Sequence, residues 1–190
     1  VFVTLTRWFV ITGSPCCGKT TVIRELERRG YKCSPEVARL HIESQLANGL
    51  TIAEMRKDEM AFQRSLIASK VSLEEGLNPN EIVFMDRAMP DSMSYFKLKG
   101  FEPSEIMQLS LRFRYAGILL FDRLPFEEDG VRVEDEQAAA FLDKQLELDY
   151  RSLGYDVTRI PAMSVQDRVT MLLSLTSGLL ADECSRAPIN

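Results

Sequence analysis

Gly13-Ser14-Pro15-Cys16-Cys17-Gly18-Lys19-Thr20 has the spacing Gly-x-x-x-x-Gly-Lys-Ser/Thr and follows directly on the apolar run Trp8-Phe9-Val10-Ile11-Thr12. Few sequence features constrain a fold as tightly. They require a strand that runs into a curled loop and then a helix, whose first positions of helical spacing are Val22, Ile23 and Leu26. Gly13 and Gly18 let backbone N–H groups turn inward into an anion-holding nest, and the helix adds the positive end of its dipole. Lys19 supplies a point charge for β- and γ-phosphate oxygens, and the Thr20 hydroxyl is a magnesium ligand. Residues 13–21, including Thr21, are therefore the expected cradle for a nucleoside triphosphate, ATP or another NTP.

At 190 residues the chain suits one compact domain over 1–190, and no repeat or linker marks a second. Twenty-three basic against 28 acidic residues leave a net charge of −5, so no general attraction to nucleic acid or anionic lipid is expected. No apolar stretch approaches bilayer length, Arg7 precedes too short an apolar run for a secretory signal, and a cytoplasmic location without membrane contact is the expectation. Cys16, Cys17, Cys33 and Cys184 lack paired metal spacing and read as thiols, the first two at a helix start, either open to oxidation there or simply filling loop positions that accept most small residues. A single histidine, His41, removes the material for a histidine metal cluster or a Ser-His-Asp triad.

Further strand-length apolar runs fall at 81–85, 116–121 and 156–160, with a weaker one at 31–33, and helical patterns lie between them. The first helix is predicted over 19–29, closed by Gly30. A second is predicted from Ser34-Pro35, as cap and first position, to Asn48-Gly49. Thr51 and Glu54 form a capping box ahead of a long helix through 75. Shorter helices are expected at 90–99 and 103–112, a long one at 134–153, and a last one capped by Ser164 and Asp167, with a loose tail from Asp182. This alternation predicts a three-layer α/β sandwich of the P-loop NTPase kind: about five parallel strands with helices on both faces. A right-handed crossover puts ligands at the carboxyl edge of such a sheet.

That edge directs attention to residues following strand ends. The run Ile82-Val83-Phe84-Met85 closes on Asp86-Arg87, a Walker B pattern in which the carboxylate holds magnesium and Arg87 reaches a substrate or pairs with an acid. Glu36 follows the second strand, placed either as general base for an acceptor hydroxyl or as an acid favoured by the helix dipole. Segment 122–133 is long and decorated enough to be a lid, from which Arg123 or Arg132 would neutralise charge on a transferred group unless held by the neighbouring acids. Arg112 and Arg114 are expected to face solvent at the opposite edge. An acceptor pocket is expected among the helices after the second and third strands. There Arg56 and Arg64 are candidates for an acidic substrate or simply solvated charges, and Tyr95 and Phe96 for base stacking or core packing.

Lys19-Thr20-Thr21, Gly30-Tyr31, Pro35-Glu36-Val37-Ala38-Arg39, Phe84-Met85-Asp86-Arg87, Leu124-Pro125 with Asp129-Gly130-Val131-Arg132, Glu134-Asp135 and Gly154-Tyr155-Asp156-Val157 occur in that order. In this the chain resembles the AAA-domain family of small predicted ATPases or kinases. That family is similar to the ribosylnicotinamide kinase domain of NadR and, more distantly, to deoxynucleoside kinases. The resemblance implies a kinase-like strand order 2-3-1-4-5 with the Asp86 strand beside the phosphate-loop strand. It also implies a nucleotide cradle at 13–21, Mg²⁺ linked through Thr20 and Asp86, Glu36 at the acceptor site, and a lid containing Arg132. No segment matches the arginine finger or C-terminal bundle of a ring-forming motor.

Three functions remain open on these residues: transfer of the γ-phosphoryl of Mg·ATP to a hydroxyl of a small, nucleoside-like molecule with Lys19, Glu36, Asp86 and Arg132 as catalytic groups; a slow triphosphatase regulating a protein partner; or a nucleotide-binding module without turnover. The acceptor and the oligomeric state are left open, and no Asn-Lys-x-Asp sequence marks a guanine-specific switch.

Overall fold

The computed structural model describes residues 3–124 and 133–186. The elements run β1 (Thr4–Leu5), β2 (Trp8–Thr12), α1 (Lys19–Arg28), β3 (Cys33–Ser34), α2 (Val37–Ala47), α3 (Ile52–Met55), α4 (Glu59–Gly76), β4 (Val83–Asp86), α5 (Asp91–Leu98), α6 (Ser104–Ser110), β5 (Phe113–Arg114), β6 (Gly117–Phe121), α7 (Val133–Ser152), β7 (Val157–Ile160) and α8 (Val165–Arg186). The main sheet is parallel with spatial order β3-β4-β2-β6-β7, which is 2-3-1-4-5 when its five strands are counted along the chain. Fold class and strand order are as expected.

Alternation along β2 explains the layering. Trp8 and Val10 point to one face, where they join Met85 of β4, Ile67 of α4, Met93 and Phe96 of α5, Ile106 of α6 and Tyr150 of α7. Phe9 and Ile11 point to the other, packing with Val22, Ile23 and Leu26 of α1 and Val169 and Leu172 of α8. All five β2 residues are buried, as a central parallel strand covered on both sides must be.

Four local expectations are corrected. Ser34 does not cap α2: it pairs with Met85 as the last residue of β3, and Glu36 is the cap residue, since a residue preceding proline is driven towards extended backbone. The capping box of Thr51 and Glu54 is present but starts only the single turn α3, because Asp58 accepts from the Ala61 N–H and caps α4 anew. The helical backbone of α8 continues through Arg186, past the start of the expected loose tail. Arg114 is half-buried rather than a free solvated charge: it donates to the carbonyls of Leu153 (3.0 Å) and Gly154 (2.6 Å), and its guanidinium lies 3.9 Å from the Tyr155 ring centroid. Its strand, β5, pairs in parallel with β1, a two-stranded sheet too short to be read from sequence.

Beneath the sheet, Glu74 of α4 is buried and accepts from the Met89 N–H and the Tyr115 hydroxyl, both at 3.0 Å. Burial pushes its carboxyl up to about 7, against the opposing pull of these two donors. A raised folded-state value stabilises the fold below the unfolded value of 4.5, and that contribution is lost as pH rises through about 7. In urea titrations at a series of pH values, Glu74→Gln should flatten the decline of stability across this window by roughly 3 kcal/mol. Parallel pH profiles for the two proteins would contradict the assignment.

Candidate active site

At the carboxyl end of β2 the chain enters the loop with Gly13 at φ 143° and passes left-handed backbone at Cys16 (61°) and Gly18 (86°). A Cβ on Gly13 would sit 2.8 Å from both the Phe121 carbonyl oxygen and Cys17 Sγ, so glycine is required by space as well as by φ. Gly18 is the cap residue of α1 and no side chain caps that helix, which leaves its first-turn N–H groups facing the loop. Lys19 is buried and folds back over its own loop, donating to the carbonyls of Gly13 (3.1 Å) and Ser14 (3.0 Å) and to Cys17 Sγ (3.3 Å). Burial, reinforced by the Arg87 charge, lowers its pKa. From α8, Arg168 grips the back of the loop, donating to the Cys17 carbonyl at 2.6 Å and to Pro161 O at 2.9 Å over the Phe121 ring.

Asp86 and Arg87 leave β4 beside this loop. Burial, followed by the nearby Glu36 carboxylate, pushes Asp86 up to about 6, opposed by Arg87 and Lys19. Its Oδ1 is buried with no hydrogen-bond partner among the described residues, a costly arrangement for a carboxylate that a cation or its bound water would relieve. Among the described residues no cluster of three His, Cys, Asp or Glu forms a metal site, so a cation here would draw on Asp86, the Thr20 hydroxyl and phosphate oxygens. Arg87 adopts a positive φ of 65°, and its guanidinium is turned inward between Glu36 (3.7 Å) and Asp91 (3.1 Å), 5.3 Å from the Tyr95 ring centroid.

Asp91 had no functional reading in the sequence, yet it organises this corner. It is fully buried, with Oδ1 accepting from the Thr12 hydroxyl (2.5 Å) and Arg87, and Oδ2 accepting from the Ala88 N–H (3.1 Å) and the Tyr150 hydroxyl (2.5 Å). Burial alone would raise its pKa, but the Arg87 guanidinium, with Lys70 and these donors, holds it below the usual carboxylate range. Arg168 and Asp91 gave no signal beyond an arginine in a helical pattern and an acid in a first helical turn.

Two adjoining hollows lie over these residues. One, of about 430 Å³, is lined by the phosphate loop from Pro15 to Thr21 together with Arg39 and Leu124. The other, of about 180 Å³, is walled by α2 and α4, with Phe62, Gln63, Lys70, Asp86 and Ser92 on its surface. Glu36, Arg87 and Tyr95 line both, so they stand at the boundary between the two. Phe96 lies in the core, and Arg56 lines the smaller hollow with its guanidinium 5.3 Å from the Phe62 ring centroid. Arg123 is paired with Glu136 of α7 and borders neither hollow. Arg132 and most of the expected lid, 125–132, lie outside the described residues.

Residues 8–168, most of the chain, match the family model described as AAA domain. The chain belongs to this AAA domain family. No curated protein matches the sequence of this family member. Its fold is similar to solved P-loop kinases. NadR in complex with NR is 23% identical with a TM-score of 0.58, over 84% of this chain and 46% of that one. The deoxyadenosine kinase of M. mycoides is 15% identical with a TM-score of 0.58 (90% and 99% covered), and the thymidylate kinase of Ehrlichia chaffeensis is 14% identical with a TM-score of 0.61 (90% and 98%). This AAA-domain chain thus spans about half the length of NadR and nearly all of the two nucleoside and nucleotide kinases. No helix among its described residues is long and apolar enough to cross a membrane.

Removing Asp91 would leave the Arg87 guanidinium buried without its nearest counter-charge. Asp91→Ala should therefore cost about 3–5 kcal/mol in urea denaturation, and adding Arg87→Met should recover part of the loss. Additive losses in the double variant would show that the pair is not coupled.

Proposed function

We propose that the protein is a phosphotransferase that moves the γ-phosphoryl group of ATP, or another nucleoside triphosphate, to a hydroxyl of a small nucleoside-like molecule. The observation that carries this reading is the common wall of the two hollows: Glu36 and Arg87 face the phosphate loop on one side and a cleft sided by Phe62 and Tyr95 on the other. A triphosphate held by residues 13–21 and an acceptor held in the cleft would meet there, brought into proximity by the wall the two hollows share. The likeness in fold to a deoxyadenosine kinase and a thymidylate kinase favours the same reaction class.

In this reading Glu36 accepts the proton of the acceptor hydroxyl, whose oxygen forms the new bond to the γ-phosphorus while the bond from that phosphorus to the bridging β,γ-oxygen breaks and the diphosphate leaves. Arg87, fixed by Asp91, faces the negative charge between donor and acceptor, and Lys19 turns from its loop carbonyls to phosphate oxygens. Thr20 and Asp86 would hold Mg²⁺, which when bound neutralises charge on the phosphate oxygens. Cys16 and Cys17 contribute backbone N–H groups to the cradle, and Arg132 and Arg123 remain candidates for a lid.

Lys19→Ala should abolish thermal protection by Mg·ATP, read as the loss of a concentration-dependent rise in melting temperature. Glu36→Gln should keep that protection and lower acceptor-dependent ADP formation by about 10²–10⁴-fold. ADP formation that no acceptor stimulates and that Glu36→Gln leaves intact would instead identify a triphosphatase.

A further inference from the structure

The face of α4 that borders the acceptor cleft carries Phe62, Gln63, Leu66 and Lys70, positions one side of a helix brings together. Lys70 lies eight residues beyond Phe62, about 12 Å further along the axis. It is buried, and Nζ donates to the Ala88 carbonyl at 2.9 Å and to Ser92 Oγ at 2.8 Å. An ammonium group has three donors, and these neutral acceptors take two.

Its charge is not matched. Lys70 forms no ion pair with a described carboxylate, and Asp91, Glu74 and Glu36 act on it only through longer-range Coulomb attraction. Asp91 is committed to Arg87, Thr12, Ala88 and Tyr150, and Glu74 to Met89 and Tyr115. Glu36 is shared between Arg39 and Arg87. A cation enclosed without a partner is among the more expensive features a protein interior holds, and burial lowers its pKa accordingly. At the same cleft Arg56 also forms no ion pair among the described residues; its described contact is the Phe62 ring. Three cations, Arg56, Lys70 and Arg87, thus border a cleft whose carboxylates are Glu36 and Asp86. The chemistry assigned to those two carboxylates leaves Lys70 uncompensated.

We infer that the acceptor carries a second, non-reacting oxyanion, a carboxylate or a phosphate ester, that is held by Lys70 while the reacting hydroxyl lies towards Glu36. This rests on the phosphotransferase reading and sharpens it: Lys70 selects the acceptor by charge, and an uncharged or cationic nucleoside leaves an enclosed ammonium group unmatched. A charge-assisted hydrogen bond from a buried ammonium group discriminates strongly between an anion and its neutral counterpart.

The test compares matched pairs for binding to the full chain by calorimetry, with and without AMP-PNP. Orotidine against uridine and nicotinate riboside against nicotinamide riboside probe the carboxylate, and ribose 5-phosphate against ribose probes the phosphate. In at least one pair the member bearing the carboxylate or phosphate should bind about tenfold or more tightly, and the arm that responds identifies which oxyanion is meant. Lys70→Met should bring that pair to near-equal affinity, and Lys70→Arg should retain the preference. Urea denaturation monitors whether either variant folds, and the wild-type comparison stands without them. Equal binding within every pair, no binding by any anionic member, or a preference that persists in folded Lys70→Met overturns the inference. Transfer assays separate it from the reading beneath it. Phosphorylation of neutral acceptors with KM unchanged in Lys70→Met keeps the phosphotransferase and removes the anion site, whereas Lys70-dependent anion binding without any transfer keeps the site and removes the phosphotransferase.

Discussion

The Asp91 carboxylate is the point from which the geometry of the site is fixed. It gathers the Thr12 hydroxyl at the end of β2, Arg87 at the end of β4, the Ala88 N–H of the turn between them and α5, and the Tyr150 hydroxyl of α7. Two strand ends and two helices are thereby held by one buried anion. Such a group is tolerated in the interior only when its lone pairs are filled and a counter-charge is close, and Asp91 has both. Arg87 depends on it in turn. Its backbone has a positive φ, uncommon for a residue with a side chain, and the surrounding ion pairs hold the guanidinium inward between Glu36 and Asp91.

The phosphate loop is supported by a different device. Its curl follows from local sequence, since Gly13 leaves no room for a Cβ and Gly18 turns the chain into α1. Its position relative to the sheet is set by Arg168, which lies 151 residues beyond Cys17 and donates to that residue's carbonyl. Lys19 occupies the loop carbonyls within this frame, so its ammonium group is already at the cradle. The two supports meet at the boundary formed by Glu36, Arg87 and Tyr95, where a donor and an acceptor would face each other.

Much of this could be read from the chain. The apolar faces of α1 and β2 follow from periodicity, and the clustering of the glycine-rich loop with Glu36, and with Asp86 beside Lys19, from the rule that ligands sit at the carboxyl edge of a parallel sheet, whereas the strand order is what the family resemblance implies. Local signals mislead where they compete. Ser34 has the chemistry of a helix cap, yet strand pairing beside a proline decides its backbone, and the helix start at Thr51 is cut short by a stronger cap at Asp58. Arg114 looked like a solvated charge because nothing near it in sequence reveals the carbonyls of Leu153 and Gly154.

By itself the sequence determined a curled glycine loop between strand and helix on a parallel α/β sheet, because glycine spacing and apolar periodicity act through neighbouring residues and need no distant contact. Tertiary structure alone decided what Asp91, Lys70, Arg168 and Arg114 do. Each reads in the chain as an ordinary charge on a helix or at a strand end. A charge acquires its role from burial and from partners brought by other elements: Tyr150 lies 59 residues from Asp91, and Ser92 lies 22 residues from Lys70. Desolvation is a property of the folded surroundings, so which cation is balanced by a nearby carboxylate and which is not is settled only when the helices close over the sheet.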